Sequence, residues 1–408
     1  MLDPVASVLL WLAVILFAAK IGAGIAVRFG QPPVLGELLA GVVLGNAALA
    51  GVPWAGTITD SPSIALFGQL GVILLLFEVG LGTTVAEMLQ AGPSALLVAC
   101  LGTTGTFVLG YAAGALLLPG ASHYVHAFLG VTLTATSIGI TVRVLYDRNL
   151  IRRPEARVIL GAAVIDDVIG LVLLATIAAA ITAAGRGEAM TVGAAGVILS
   201  KAVAFLVGSL VIGSAVSPRI FALGARLPVH GVLLATSLGI CFALSWLASV
   251  SGLAPIIGAF AAGLILKKVH YKDFVDRGER NLEHLIRPIS SFLAPIFFVL
   301  VGARTDLTAF ARPGVLALAA ALTGAAVVGK LACALGVVDR RARRFPVAAG
   351  MMPRGEVSLI VASMGLGLAV GGEPVINAET FSAIVAMVFV TAMATPPLLA
   401  WSFRRRQG

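Results

Sequence analysis

Asp166 and Asp167 stand side by side in an apolar stretch, Val158 to Ile181, that carries no other charged residue. A carboxylate there can hold a proton or a small hard cation, and the two compete for its oxygens. Each acid at the centre of a membrane helix costs about 2.5–3.5 kcal/mol on insertion scales, so the pair demands a partner or a task. Lys330, in the apolar run Val327-Val328-Gly329-Lys330-Leu331, has the sign of a counter-ion. Neighbouring residues on an α-helix point about 100° apart, so the two aspartates cannot face one partner. One can hold Lys330 while the other faces a cavity. The competing account of Lys330, and the preferred one for Lys20 and Lys201, is snorkelling, in which the ammonium reaches the headgroups along its own stem.

The elements that must carry these groups are membrane helices. The chain has 408 residues, 59% hydrophobic and 12% charged, with a mean hydropathy of +1.04. Those values exclude a soluble globular domain and define an all-α polytopic membrane protein. Apolar runs near the roughly 20 residues needed to cross a bilayer predict 13 transmembrane helices, at 5–28, 34–50, 62–81, 92–118, 125–146, 155–183, 191–216, 228–248, 252–268, 284–303, 312–337, 346–370 and 379–402. Residues 1–408 are then expected to form a single integral membrane unit with no soluble regulatory domain. Met1 to Pro4 holds an acid and no basic cluster, so the first run reads as a spanning helix rather than a cleaved signal. Cys100, Cys241 and Cys333 lie in apolar runs as small fillers. His123, His126, His230, His270 and His284 fall in or beside loops without metal spacing, so no resident cofactor is expected.

The net charge of +9 reads as topology rather than nucleic-acid affinity. If Arg404, Arg405 and Arg406 are cytoplasmic, so are Arg28, Arg143, Arg148, Arg152, Arg153, Arg157, Arg219, Arg226, Lys267, Lys268, Lys272, Arg277, Arg280, Arg287, Arg340, Arg341, Arg343 and Arg344. Only Arg186, Arg304 and Arg312 fall in the outer loops. Basic residues collect on the cytoplasmic side. The N-terminus is therefore expected outside and the C-terminus inside a cell (inner) membrane, with the lipid bilayer and not nucleic acid as partner.

Two spans contain sequence that a continuous helix would not choose. The fifth carries Thr132, Thr134, Thr136, Ser137 and Gly139, and the twelfth carries Met351-Met352-Pro353-Arg354-Gly355-Glu356. Hydroxyls, glycine and proline all compete with helical hydrogen bonds, and non-helical backbone at membrane depth is tolerated only in protein or along a cavity. The fifth and twelfth spans are seven apart, so one is the topological inverse of the other, the pattern of inverted-repeat transporters with paired broken helices. Repeats of about 5–183 and 228–402, joined by the helix 191–216, produce it. Arg354 and Glu356 suit the exposed ends of half-helices more than transport chemistry itself. Glu37 is read in the first turn of the second span, where a carboxylate suits the positive helix end.

In this setting the residues resemble a known family, the second branch of the monovalent cation:proton antiporter superfamily, and in particular sodium/proton antiporters of the NapA type. The resemblance runs through Gln31-Pro32-Pro33-Val34-Leu35-Gly36-Glu37, Leu76-Phe77-Glu78-Val79-Gly80-Leu81, Thr134-Ala135-Thr136-Ser137, Val164-Ile165-Asp166-Asp167-Val168, Pro255-Ile256-Ile257-Gly258-Ala259-Phe260, Phe297-Phe298-Val299-Leu300-Val301-Gly302, Gly329-Lys330 and Arg354-Gly355-Glu356. It implies two crossed broken helices, a homodimer and elevator-type alternating access. Dimerisation helices are expected at about 5–50 and 228–268, and core, ion-translocating helices at about 62–183 and 284–402. It implies that Asp167 alternately binds H⁺ or Na⁺, that Asp166 pairs with Lys330, that Thr136 and Ser137 flank the ion, and that Glu356 sits at the helix crossing. Asn46 departs from the pattern, standing where relatives often carry proline, and only a helix end is expected to feel it.

The function expected is exchange of Na⁺ or Li⁺ for H⁺ at one carboxylate, electrogenic if two protons move per sodium. Potassium/proton exchange is the near alternative, and a bile-acid-type sodium symporter a remoter one. An intramembrane aspartyl protease would draw its two acids from different helices, which adjacent aspartates cannot supply. A channel is separated by proton-coupled, saturable flux.

Overall fold

The computed structural model describes residues 4–50, 58–59, 61–82, 92–150, 152–185, 192–227, 229, 231–266 and 281–404. The basic residues Arg186, Lys267, Lys268, Lys272, Arg277, Arg280, Arg405 and Arg406, with His230 and His270, lie outside them. The helices are α1 (Pro4–Arg28), α2 (Pro33–Gly45), α3 (Pro62–Leu81), α4 (Gly92–Leu117), α5 (His123–Thr132), α6 (Ile138–Asp147), α7 (Pro154–Gly185), α8 (Val192–Gly224), α9 (Val232–Val250), α10 (Pro255–Ile265), α11 (Leu282–Ala303), α12 (Pro313–Leu331), α13 (Arg344–Gly350), α14 (Glu356–Leu366) and α15 (Ala378–Arg404). Among the described residues nine are long and apolar enough to cross a membrane, while α2, α10 and α14 are shorter apolar helices.

Local chemistry sets several of these starts. α2, α3, α10 and α12 open on Pro33, Pro62, Pro255 and Pro313, the position where a missing N–H costs nothing and a fixed φ fits the helix. Residues 133–137 and 351–355 lie in no helix. They separate α5 from α6 and α13 from α14 within the hydroxyl-rich and Pro/Gly-bearing stretches. A two-stranded antiparallel hairpin, Ala369–Val370 with Glu373–Pro374, follows α14. Gly371 and Gly372, both at positive φ, make its turn, a conformation only glycine adopts without strain.

Packing sorts the helices into two groups. In the first, α1 packs on α2, α2 and α3 pack on α11, α3 packs on α10, and α10 on α9. In the second, α4 packs on α5, α7 and α12, and α12 packs on α15. α8 bridges, touching α7 on one side and α9 and α10 on the other. The residues 62–81 and 284–303, expected with the ion-translocating helices, thus pack in the first group.

The reason is backbone proximity. A Cβ on Gly41 would fall on the Val299 carbonyl, one on Gly302 on that of Leu38, and one on Gly80 on that of Phe260. Lipid tails are as apolar as leucine, so membrane helices associate where small residues let backbones touch. Those glycines zip α3 and α11 to α2 and α10.

Candidate ion site

Asp166, on α7, is fully buried and surrounded by donors from three other elements. Lys330 Nζ on α12 lies 2.8 Å from Oδ1 and 2.9 Å from Oδ2. Thr103 on α4 donates its hydroxyl to Oδ1 at 2.5 Å, and Thr136, in the gap between α5 and α6, donates to Oδ2 at 2.7 Å. Lys330 is itself fully buried, which removes the snorkelling account. Its stem runs against Gly102, where a Cβ would stand 3.1 Å from Lys330 Cδ. Closer still, a Cβ on Gly329 would meet the Thr106 backbone at 2.6 Å. Small residues at both places let the ammonium reach across.

Asp167 is treated differently. It points away from the pair, as the 100° step requires, and its Oδ1 is sealed from solvent with no hydrogen-bond partner among the described residues. The small space beside it, about 10 Å³, is lined by Thr134, Ala135, Gly170, Phe260 and Val357 among others. That is near the smallest space able to hold one water molecule.

The two helix gaps meet beside this centre. Ser137 N donates to Pro353 O at 2.9 Å, and Thr141 Oγ1 to Gly350 O at 2.6 Å. The Ser137 hydroxyl donates to Glu356 Oε2 at 2.9 Å. Arg354 is fully buried and donates from Nη1 to Ala135 O at 2.9 Å and to Thr136 Oγ1 at 3.3 Å. Glu356 begins α14, where a carboxylate faces the positive end of the helix dipole, while Arg354 covers a carbonyl freed where α5 has stopped. Both charges thereby stabilise broken backbone.

Thr136 and Ser137, expected beside the ion, commit their hydroxyl hydrogens to Asp166 and Glu356. Their oxygens retain lone pairs. Thr103 was not among the expected site residues. Its signal lay in the hydroxyl-rich Gly102-Thr103-Thr104-Gly105-Thr106 run of the fourth span, the topological inverse of the span bearing Lys330.

A cavity of about 560 Å³ reaches Ser137, Arg354 and Glu356 from the ends of α1 and α6, marked by Gly30 and Arg148. A second, about 360 Å³, opens at the opposite ends of the helices, between Gln69, Arg304 and Ser363. Elsewhere, Lys20, expected to snorkel, has a carboxylate beside it: its Nζ lies 3.9 Å from Glu37 Oε1. Glu37 is buried past the first turn of α2, not within it. Among the described residues no three His, Cys, Asp or Glu side chains assemble as a metal cluster.

An apolar helical chain with paired helix gaps around a buried Asp–Asp–Lys centre has the makings of an ion-coupled transporter. The family described as "Sodium/hydrogen exchanger, transmembrane" matches residues 13–403, and the chain belongs to that family. It is 36% identical to the high-affinity Na(+)/H(+) antiporter NhaS3 of Synechocystis sp., over 97% of this chain and 89% of that protein. It is 35% identical to the Na(+)/H(+)-K(+) antiporter GerN of Bacillus cereus, over 96% and 95%. The fold matches the sodium proton antiporter MjNhaP1 of Methanocaldococcus jannaschii with a TM-score of 0.69 at 16% identity, covering 98% of each chain.

Proposed function

We propose that the protein is a secondary active antiporter that exchanges Na⁺, or Li⁺, for H⁺ across a cell membrane, with cation and proton competing for Asp167. One observation carries the assignment. Asp166 is saturated by Lys330, Thr103 and Thr136, whereas Asp167 Oδ1 has no partner among the described residues. A buried acceptor without a partner is costly, and a proton or a desolvated cation relieves that cost. The cation would take oxygens from Asp167 and from the hydroxyl and carbonyl groups of residues 133–137, in place of its water.

The helices are read as 13 crossings in two inverted repeats, with the N-terminus outside and the C-terminus cytoplasmic. The first packed group serves as the scaffold of a homodimer, and the second carries the ion site past it in an elevator movement. In this orientation the cavity of about 560 Å³ is the cytoplasmic entrance. A second proton, taken up or released at the Asp166–Lys330 pair, makes exchange electrogenic.

The test is flux in proteoliposomes under an imposed pH gradient, with Na⁺, Li⁺ or K⁺ as the sole cation. Na⁺- or Li⁺-dependent proton release that is lost in Asp167→Asn supports the reading. Proton release with K⁺ alone would replace it with potassium/proton exchange, the direction in which GerN's name points.

A further inference from the structure

Residues 304–312 connect α11, in the first packed group, to α12, which carries Lys330 in the second. Asn46, expected to affect only a helix end, grips this connector. From the C-terminal end of α2 its Nδ2 donates to Thr305 O at 2.7 Å and to Val42 O at 2.9 Å, while its Oδ1 accepts from Leu307 N at 3.1 Å. Between those held residues, Asp306 N donates to Ser382 Oγ at 3.0 Å, on α15 of the second group. Arg312 pairs with Glu379 on the same helix. The Asp306 carboxylate is occupied locally by Thr308 N and Oγ1, at 2.8 and 2.6 Å.

Consecutive residues of one connector are therefore held by opposite groups, 305 and 307 by the first and 306 by the second. Hydrogen bonds weaken steeply beyond roughly 3.2–3.5 Å. Displacing one group along the other must therefore break either the Asn46 bonds or the Ser382 bond. We propose that Asn46 and Ser382 are positioning residues for transport, a two-sided latch favouring the arrangement seen here, in which the cavity beside Ser137 and Glu356 is larger than the one beside Gln69. This rests on the reading that one group moves past the other. A proline at position 46 would have no side-chain donor or acceptor to offer the connector.

The experiment reads the balance between the two cavities directly. Val144→Cys lines the first cavity and Gln69→Cys the second. Each reporter is placed alone in a chain whose Cys100, Cys241 and Cys333 are replaced by Ala, and labelling by a water-soluble maleimide is timed in detergent. Asn46→Ala and Ser382→Ala should each slow labelling at 144 and speed it at 69, by about five- to tenfold in the ratio. Ser382→Thr, which keeps the hydroxyl, should restore the ratio. Rates that stay unchanged, or that rise together at both reporters, overturn the latch, the second result signifying general loosening. Exchange by the unsubstituted protein is measured in parallel. Its absence would overturn the ion assignment, while unchanged labelling with normal exchange would overturn the latch alone.

Discussion

Lys330 and Asp166 form an ion pair from which solvent is wholly excluded, with Nζ within 3 Å of both carboxylate oxygens. The pair spans α7 and α12, which are far apart in sequence, and two threonines complete the carboxylate's shell. Such a pair is weak evidence of net stabilisation, because desolvation offsets attraction. Breaking it is another matter, since the surviving charge is left buried alone.

Lys330→Gln should therefore cost about 3–5 kcal/mol and lower the melting temperature in detergent. Adding Asp166→Asn should recover part of that loss, because both charges are then gone and the effects are coupled. Strict additivity of the two melting shifts would show that the pair is not energetically linked.

Asp167→Asn should abolish Na⁺-for-H⁺ exchange and leave the melting temperature within a few degrees of the parent protein. An amide cannot alternate between proton and cation, and no partner among the described residues is lost at Oδ1. Retained exchange, assayed as Na⁺-induced proton release, would move the ion site elsewhere.

Thr103→Val keeps shape and removes one donor to Asp166. Interhelical hydrogen bonds in membranes average about 0.6 kcal/mol, but bonds to charged groups are worth about 1.5–3 kcal/mol, and the charged acceptor decides the case. The melting temperature should fall clearly while the apparent KM for Na⁺ changes less than twofold. Thr136→Val with Ser137→Ala should instead raise that KM several-fold, in line with about 1 kcal/mol of lost polar contact. If Thr103→Val raised KM as much, the division between Asp166 and Asp167 would fail.

Gly355→Ala would place a Cβ 2.6 Å from Ser137 Cβ and 2.7 Å from its Oγ. Overpacking of this kind costs about 1–3 kcal/mol, here where the two helix gaps meet. Turnover should drop about tenfold or more with the protein still folded. Gly324→Ala on α12, where a Cβ meets nothing within 4 Å, should be silent in the same flux assay.

The pairing of Asp166 with Lys330 was legible because charge at membrane depth has few physical explanations, and opposite charges on two spans imply each other. Thr103 was not, because a threonine in a membrane helix ordinarily bonds its own backbone, as Thr106 does to Gly102 O at 2.8 Å. Sequence does not distinguish a hydroxyl turned inward to a carbonyl from one turned outward to a carboxylate. The packing partners of α3 and α11 were equally hidden, since helices immersed in lipid show no sharp contrast between faces. What sorts them is where glycines meet, and each glycine must be matched to a backbone from a distant part of the chain. Asn46 was visible as a departure, but its grip depends on a connector about 260 positions further along.

The glycine contacts that zip α2, α3, α10 and α11 also shape how this protein tolerates mutation. Alanine is ordinarily the mildest replacement, yet at Gly41, Gly80 and Gly302 it would drive a methyl group into a neighbouring carbonyl. A selection for growth in salt would therefore score two kinds of lesion alike, at the acids proposed to handle ions and at the glycines that only pack helices. Counting folded protein alongside growth separates them. The ridge of glycines should vanish from the survivors of the first count, and Asp167 only from those of the second.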